Sequence, residues 1–330
     1  PTIGTRADWA RTTLSVWEDI ADPVATAIPR AISHMMASQA PDDMQAMIGG
    51  LQGPMEQVSK SLFSLQLAGV VGKLSTEVLS GGDIGIPLVH GTSEYDVKAF
   101  LLGQNMRAFS KDLDVPQDEA DIYLATREIA HARLFRHAKW LRLNIMSAIR
   151  DFAAGISIDP SRITELAEEF DPTNAEAMKE LLTTGALLPE RTEEQNRALA
   201  RLEGMLALIE GWVDHVTGLA TSRLPKSDAM GEAIRRRRAS GGPAERAFST
   251  LVGLELRPRK LREASALWAE IYRELGPEGR DELWRHPDTL PHESDLDDPA
   301  GFLRRLAHPA EDTDFDQALR DLLDEESPEK

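Results

Sequence analysis

Glu128 and His131 stand three residues apart in the stretch 121–142, DIYLATREIAHARLFRHAKWLR. On a helix they lie about 60° apart, with Leu124 and Phe135 close by. That face is otherwise apolar except for Arg127. An acid and an imidazole that project to one point can act as a general base and a metal ligand. The plainer alternative is a core histidine salt-bridged to its neighbour. A second stretch, 208–215, reads LIEGWVDH. Glu210 and Asp214 are four apart, so both carboxylates share a helix face, while His215 points about 140° away from Glu210. Like charges at that spacing repel by about 0.2–0.5 kcal/mol unless a cation sits between them. The cation is either a bound metal or Arg127. If Glu128, His131, Glu210 and Asp214 meet in the interior, they must be paired, coordinated or protonated.

The elements that must position these residues read as mainly α. Trp9, Leu14, Trp17, Ile20, Val24 and Ile28 recur at roughly helical spacing, interrupted by Pro23 and Pro29, and predict one or two peripheral helices. A long helical pattern covers 55–79. Gly- and Pro-punctuated runs follow, with Ile84, Ile86, Leu88 and Val89 and then Tyr95, Val97 and Phe100, and there a small strand pair is expected. A short helix covers 101–113. The central helix begins near Pro116 and continues, with a bend, to about Ala154. Two shorter helices are expected in 158–188, a second long helix in 192–223 and another in 244–275. Residues 224–243, with Pro, Gly and the run Arg235–Arg238, read as a mobile surface connection. The tail beyond Gly276 reads as frayed. The divisions are an N-terminal helical extension (1–54), a helical core (55–275) and a C-terminal segment with an acidic tail (276–330).

The 330 residues include no cysteine, so any metal must be held by His, Asp and Glu. No secretory signal and no run of about 18 apolar residues is present, which predicts a soluble, cytoplasmic protein. A net charge of -18 argues against nucleic acid or an anionic membrane as partner, since both require a positive field. No phosphate loop, G-x-G-x-x-G or G-x-S-x-G motif occurs.

Five blocks in order, LAGVVGKLSTEVLSGGDIGIPL, REIAHARLFRHAKWLR, LIEGWVDHV, RRRRASGGPAERAFSTLVGLELRPRKLREASALWAEI and LWRHPDTLPHESDLDDPAGFLRRL, resemble the zincin-like metallopeptidases. That family is mostly actinobacterial and includes hydrolases and proteins associated with deazaflavin-cofactor biosynthesis. The resemblance covers about 55–306 and implies a zincin-like helical fold. It also implies a zinc-dependent hydrolase in which metal-activated water attacks the carbonyl of a peptide or small substrate. Carried over, Glu128 would be the general base, His131 a zinc ligand and Glu210 the later glutamate ligand, with Asp214 orienting a ligand imidazole. The departure is at Arg127, which stands where the family pattern His-Glu-x-x-His has its first histidine. Arginine neither deprotonates nor ligates zinc.

The missing ligand has three candidate replacements, His137, His215 and Asp214. His137 falls where an extended HExxHxxGxxH pattern has its third ligand, although Leu134 replaces the glycine. With metal present, Arg127 would stabilise an oxyanion. Without it, the chain is a catalytically inactive zincin-like binding protein in which Arg127 supplies the positive charge. A carboxylate-bridged di-iron site would want a second Glu-x-x-His.

Overall fold

The computed structural model describes residues 1–39, 61, 63–156, 191–242, 245, 248–249 and 260–307. A two-stranded parallel sheet joins β1 (Thr2–Gly4) to β2 (Phe100–Leu102), with Ile3 opposite Leu101. The remainder is mainly α. Helix α1 (Arg6–Gln39) is followed by a helical run at 63–74 (α2), then α3 (Gly103–Leu113), α4 (Gln117–His137) and α5 (Trp140–Ala154). Beyond these lie α6 (Glu193–Ala220), α7 (Ser227–Ala239), α8 (Leu261–Glu282) and α9 (Pro299–Ala307).

The two long elements of the centre start and stop on local signals. Pro116 precedes α4, with Asp118 and Glu119 in the first turn where the helix dipole favours acids. The break between α4 and α5 falls at Ala138–Lys139, the bend expected in the central helix. Thr192 caps α6 through a reciprocal box with Gln195. α6 packs along α4, α5 and α8, which makes it the axis of the bundle.

Several elements differ from the sequence expectation. The strand pair does not form between 84–89 and 95–100. An isolated bridge joins His90, just past the first run, to Val97, and β2 pairs instead with the N-terminal residues 2–4. Burial decides this, because Ile84, Ile86, Leu88 and Val89 all face the core. Helix α1 runs through Pro23 without a break, and its face of Trp9, Trp17, Ile20 and Val24 is buried rather than peripheral. Residues 224–243 are no loose connection, since α7 occupies most of them and buries Met230 and Ile234. Past Gly276, where α8 kinks, the chain stays packed, with Trp284, Leu290, Leu296 and Phe302 buried. The expected helices in 158–188 and the acidic end 308–330 lie outside the described residues.

Candidate functional site

α4 and α6 bring Arg127, Glu128, His131 and Glu210 together in the interior, and a turn at residues 79–85 covers them. The helical spacing of 127, 128 and 131 places them on the side of α4 that meets α6 and this turn. Gly82 has no room for a side chain, because a Cβ there would lie 2.9 Å from His131 Cγ and 3.0 Å from Glu128 Oε2. Gly85 has φ of 82°, a left-handed conformation suited to glycine, and a Cβ there would lie 3.2 Å from Glu210 Oε1. The turn therefore fits directly onto the polar heads. Glu210 is 1% exposed, and Glu128 and His131 are each 3% exposed.

Every carboxylate in this centre has its own partners. Glu128 accepts the backbone N–H of Gly82 (3.0 Å) on one oxygen and that of Phe100 (3.1 Å) on the other. Burial pushes its pKa up to about 7, against the hydrogen bonds from Ser80, Phe100 and Gly82, which favour the charged form. Glu210 pairs with Arg127 through Oε2 and with Arg238 of α7 through Oε1, the latter at 2.9 Å. Burial opposes the charge on Arg127, but Glu210, Tyr123, Asp214 and Asp83 together outweigh it and hold its pKa above the ordinary value. Asp83, in the covering turn, accepts the Leu79 N–H (2.8 Å) and lies 3.3 Å from Arg237 and 3.9 Å from Arg238.

His131 packs its ring on Phe135 at 5.0 Å and hydrogen-bonds the Gly85 backbone. Burial pushes its pKa down to about 4, so the imidazole is neutral near pH 7. Its Nε2 is buried without a hydrogen-bond partner, as is Nη1 of Arg127.

The other candidates lie apart. Asp214 is buried and turned to α7 and α8, where Arg235 approaches its two oxygens at 3.2 and 3.0 Å and the Ser265 hydroxyl donates at 2.9 Å. His137 is the exposed last residue of α4. His215 packs on Tyr272 at 5.4 Å with Arg280 nearby, and burial pushes its pKa down to about 4. Among the described residues no group of three His, Asp or Glu side chains converges so as to hold a metal ion. The cations required between Glu210 and Asp214 are arginines, separate ones for each acid. Sequence reading missed Asp83, Arg235, Arg237 and Arg238. The available signal was Arg235 and Arg238 at i,i+3, on one side of a helix that also carries Met230 and Ile234.

The family described as zincin-like metallopeptidase matches residues 1–303. No curated protein matches the sequence. Among solved structures, the fold is similar to the crystal structure of a "putative hydrolase with a novel fold" from Chloroflexus aurantiacus. The TM-score is 0.52 at 18% identity, covering 91% of this chain and 98% of the other.

Proposed function

Because this chain belongs to the zincin-like metallopeptidase family, we propose that it keeps the family's helical frame and has given up its metal chemistry, acting as a binding protein rather than a hydrolase. The observation that carries this reading is the ion pair of Arg127 with Glu210. A zinc ion needs about three protein ligands with free lone pairs. Here the donor set does not fit. Only His131 offers a neutral nitrogen, both oxygens of Glu210 face guanidinium groups, and Asp214 is taken by Arg235 and Ser265. The two arginines beside Glu210 also repel a divalent cation. The centre is covered as well, since Glu128 is bonded to the very turn that lies over it. Ligand contact therefore belongs to the outer surface, and the chain's net charge of -18 favours a cationic peptide or small molecule over nucleic acid or an anionic membrane.

Two observations favour the hydrolase reading. His131 Nε2 lacks a partner, and Glu128 titrates near neutrality, as a general base should. Elemental analysis of protein purified without chelator or immobilised-metal resin separates the two, alongside Glu210→Ala. We expect no stoichiometric zinc in either protein and a loss of about 3–5 kcal/mol in the variant, because both arginines lose their buried partner. About one zinc per chain, lost with Glu210, would establish the metallohydrolase instead.

A further inference from the structure

The run Arg235–Arg238 reads in sequence as a solvated helix end, but α7 turns three of its four guanidinium groups inward. Arg235 holds Asp214, Arg237 lies on Asp83 and the Glu77 carbonyl, and Arg238 lies on Glu210 and Asp83. Only Arg236 faces outward, near Glu232. α7 is fixed in place by Met230 and Ile234, which pack with Tyr123 and Leu124 of α4, and by the Lys226 N–H donating to Glu119 at the start of α4 (2.9 Å). The Arg238 side chain is 10% exposed, and Glu210 Oε1, the oxygen it holds, is the one beneath Gly85.

From this we infer that α7 is the chain's own occupant of the former metal position, and that Arg238 is the second half of a replacement of which Arg127 is the first. The inference rests on the binding-protein reading and deepens it. Zinc would need a histidine in place of Arg127, together with His131 and Glu210. Arg127 removes one ligand, and Arg238 saturates another and adds a positive charge where the metal would sit. Neither arginine alone accounts for both oxygens of Glu210.

The claim makes restoration of metal binding depend on two residues in different helices. Zn²⁺ affinity, measured by competition with a chromogenic chelator, would be compared in wild type, Arg127→His, Arg127→His/Arg238→Met and Arg127→His/Arg236→Met. The expected result is about one Zn²⁺ per chain in Arg127→His/Arg238→Met alone, bound at least about 100-fold more tightly than by the other three proteins. If Arg127→His binds as tightly as that double variant, Arg238 is no occupant and the inference is overturned. It is overturned also if the double variant melts cooperatively and still binds no zinc. Zn²⁺ bound by wild type and lost in Glu210→Ala would overturn the underlying reading itself, a distinct outcome. Should the double variant not fold, denaturation midpoints decide. Removing Arg238 from a Glu210→Gln background should lower the midpoint much less than removing it from wild type, because only the more distant Asp83 then remains beside it. An equal fall in both backgrounds would show that Arg238 does not act through Glu210.

Discussion

Burial moves the two titrating groups of the centre in opposite directions, and their effects on stability oppose each other. Glu128 goes from an ordinary 4.5 up to about 7. Between those values the folded state holds a proton that the unfolded chain has released, so Glu128 supports folding below about 4.5 and that support is lost as pH rises to about 7. His131 goes from 6.5 down to about 4. Between those values the unfolded chain holds the extra proton, so His131 makes stability rise with pH up to about 6.5. Each contributes a slope of about 1.4 kcal/mol per pH unit, to order of magnitude. Urea denaturation at a series of pH values from 4.5 to 6.5 should therefore show Glu128→Gln steepening the rise in stability and His131→Gln flattening it. If both variants flattened it, the assignment of a neutral imidazole beside a half-protonated acid would fail. At this scale the sequence was informative about position and silent about partners. The 127, 128, 131 spacing predicts a shared face, but nothing local shows that Glu128 would be spent on two backbone N–H groups.

Position 82 in the turn and position 204 in α6 make opposite demands on glycine. Adding a Cβ at Gly82 drives it into the His131 ring and the Glu128 carboxylate, both held by their own contacts. A Cβ at Gly204, within α6, meets nothing within 4 Å. Gly82→Ala should lower stability by about 1–3 kcal/mol through overpacking. Gly204→Ala should raise it by about 0.5–1 kcal/mol, the helix propensity gain alone. Thermal melts of the two variants read this directly, and equal shifts would mean that the turn does not press on the centre. The elements themselves were unevenly legible. α6 carries a sustained apolar stripe, and both α4 and α6 have clear starts, Pro116 and Thr192, so local signals find them. α7 offers only Met230 and Ile234 as buried apolar residues, and three of its arginines, partly buried, are paired with acids at 83, 210 and 214. Those charges become satisfied only in the fold, so no local pattern marks them as interior. The strand pair was misplaced for a similar reason, since the partner of 100–102 lies at residues 2–4 and pairing across that separation leaves no local trace.

At the scale of the whole molecule, the three segments suggested by composition contribute to one core. Trp9 and Trp17 of α1 are fully buried, Trp268 of α8 stacks on Trp284 at 5.2 Å, and Trp212 of α6 meets Trp284 edge-on at 6.4 Å. The indole N–H groups tie distant stretches. Trp9 donates to the Ser80 carbonyl at 3.2 Å, Trp140 to Trp284 at 2.9 Å and Trp268 to Leu208 at 2.9 Å. Residues beyond Gly276 look dispensable in sequence because Pro, Gly and acids dominate them, yet Trp284 closes the core from that side. Cooperative unfolding follows from such sharing, since α1 cannot leave without exposing its own Trp9 and Trp17, nor can Trp284 leave without uncovering Trp212 and Trp268. Scanning calorimetry should show one transition. Trp9→Ala and Trp284→Ala should both lower that same transition, each by about 3–5 kcal/mol of stability for the large cavity left behind. Two transitions, with Trp284→Ala moving only one of them, would instead make the C-terminal segment a separate unit. Trp284 would then lie in a core apart from α6. The shared core bears on the site as well, because α6 carries Trp212 on the tryptophan cluster two residues from Glu210 on the arginines. Loosening the C-terminal segment should therefore weaken the Arg127–Glu210–Arg238 lock through α6, without any change to the lock's own residues.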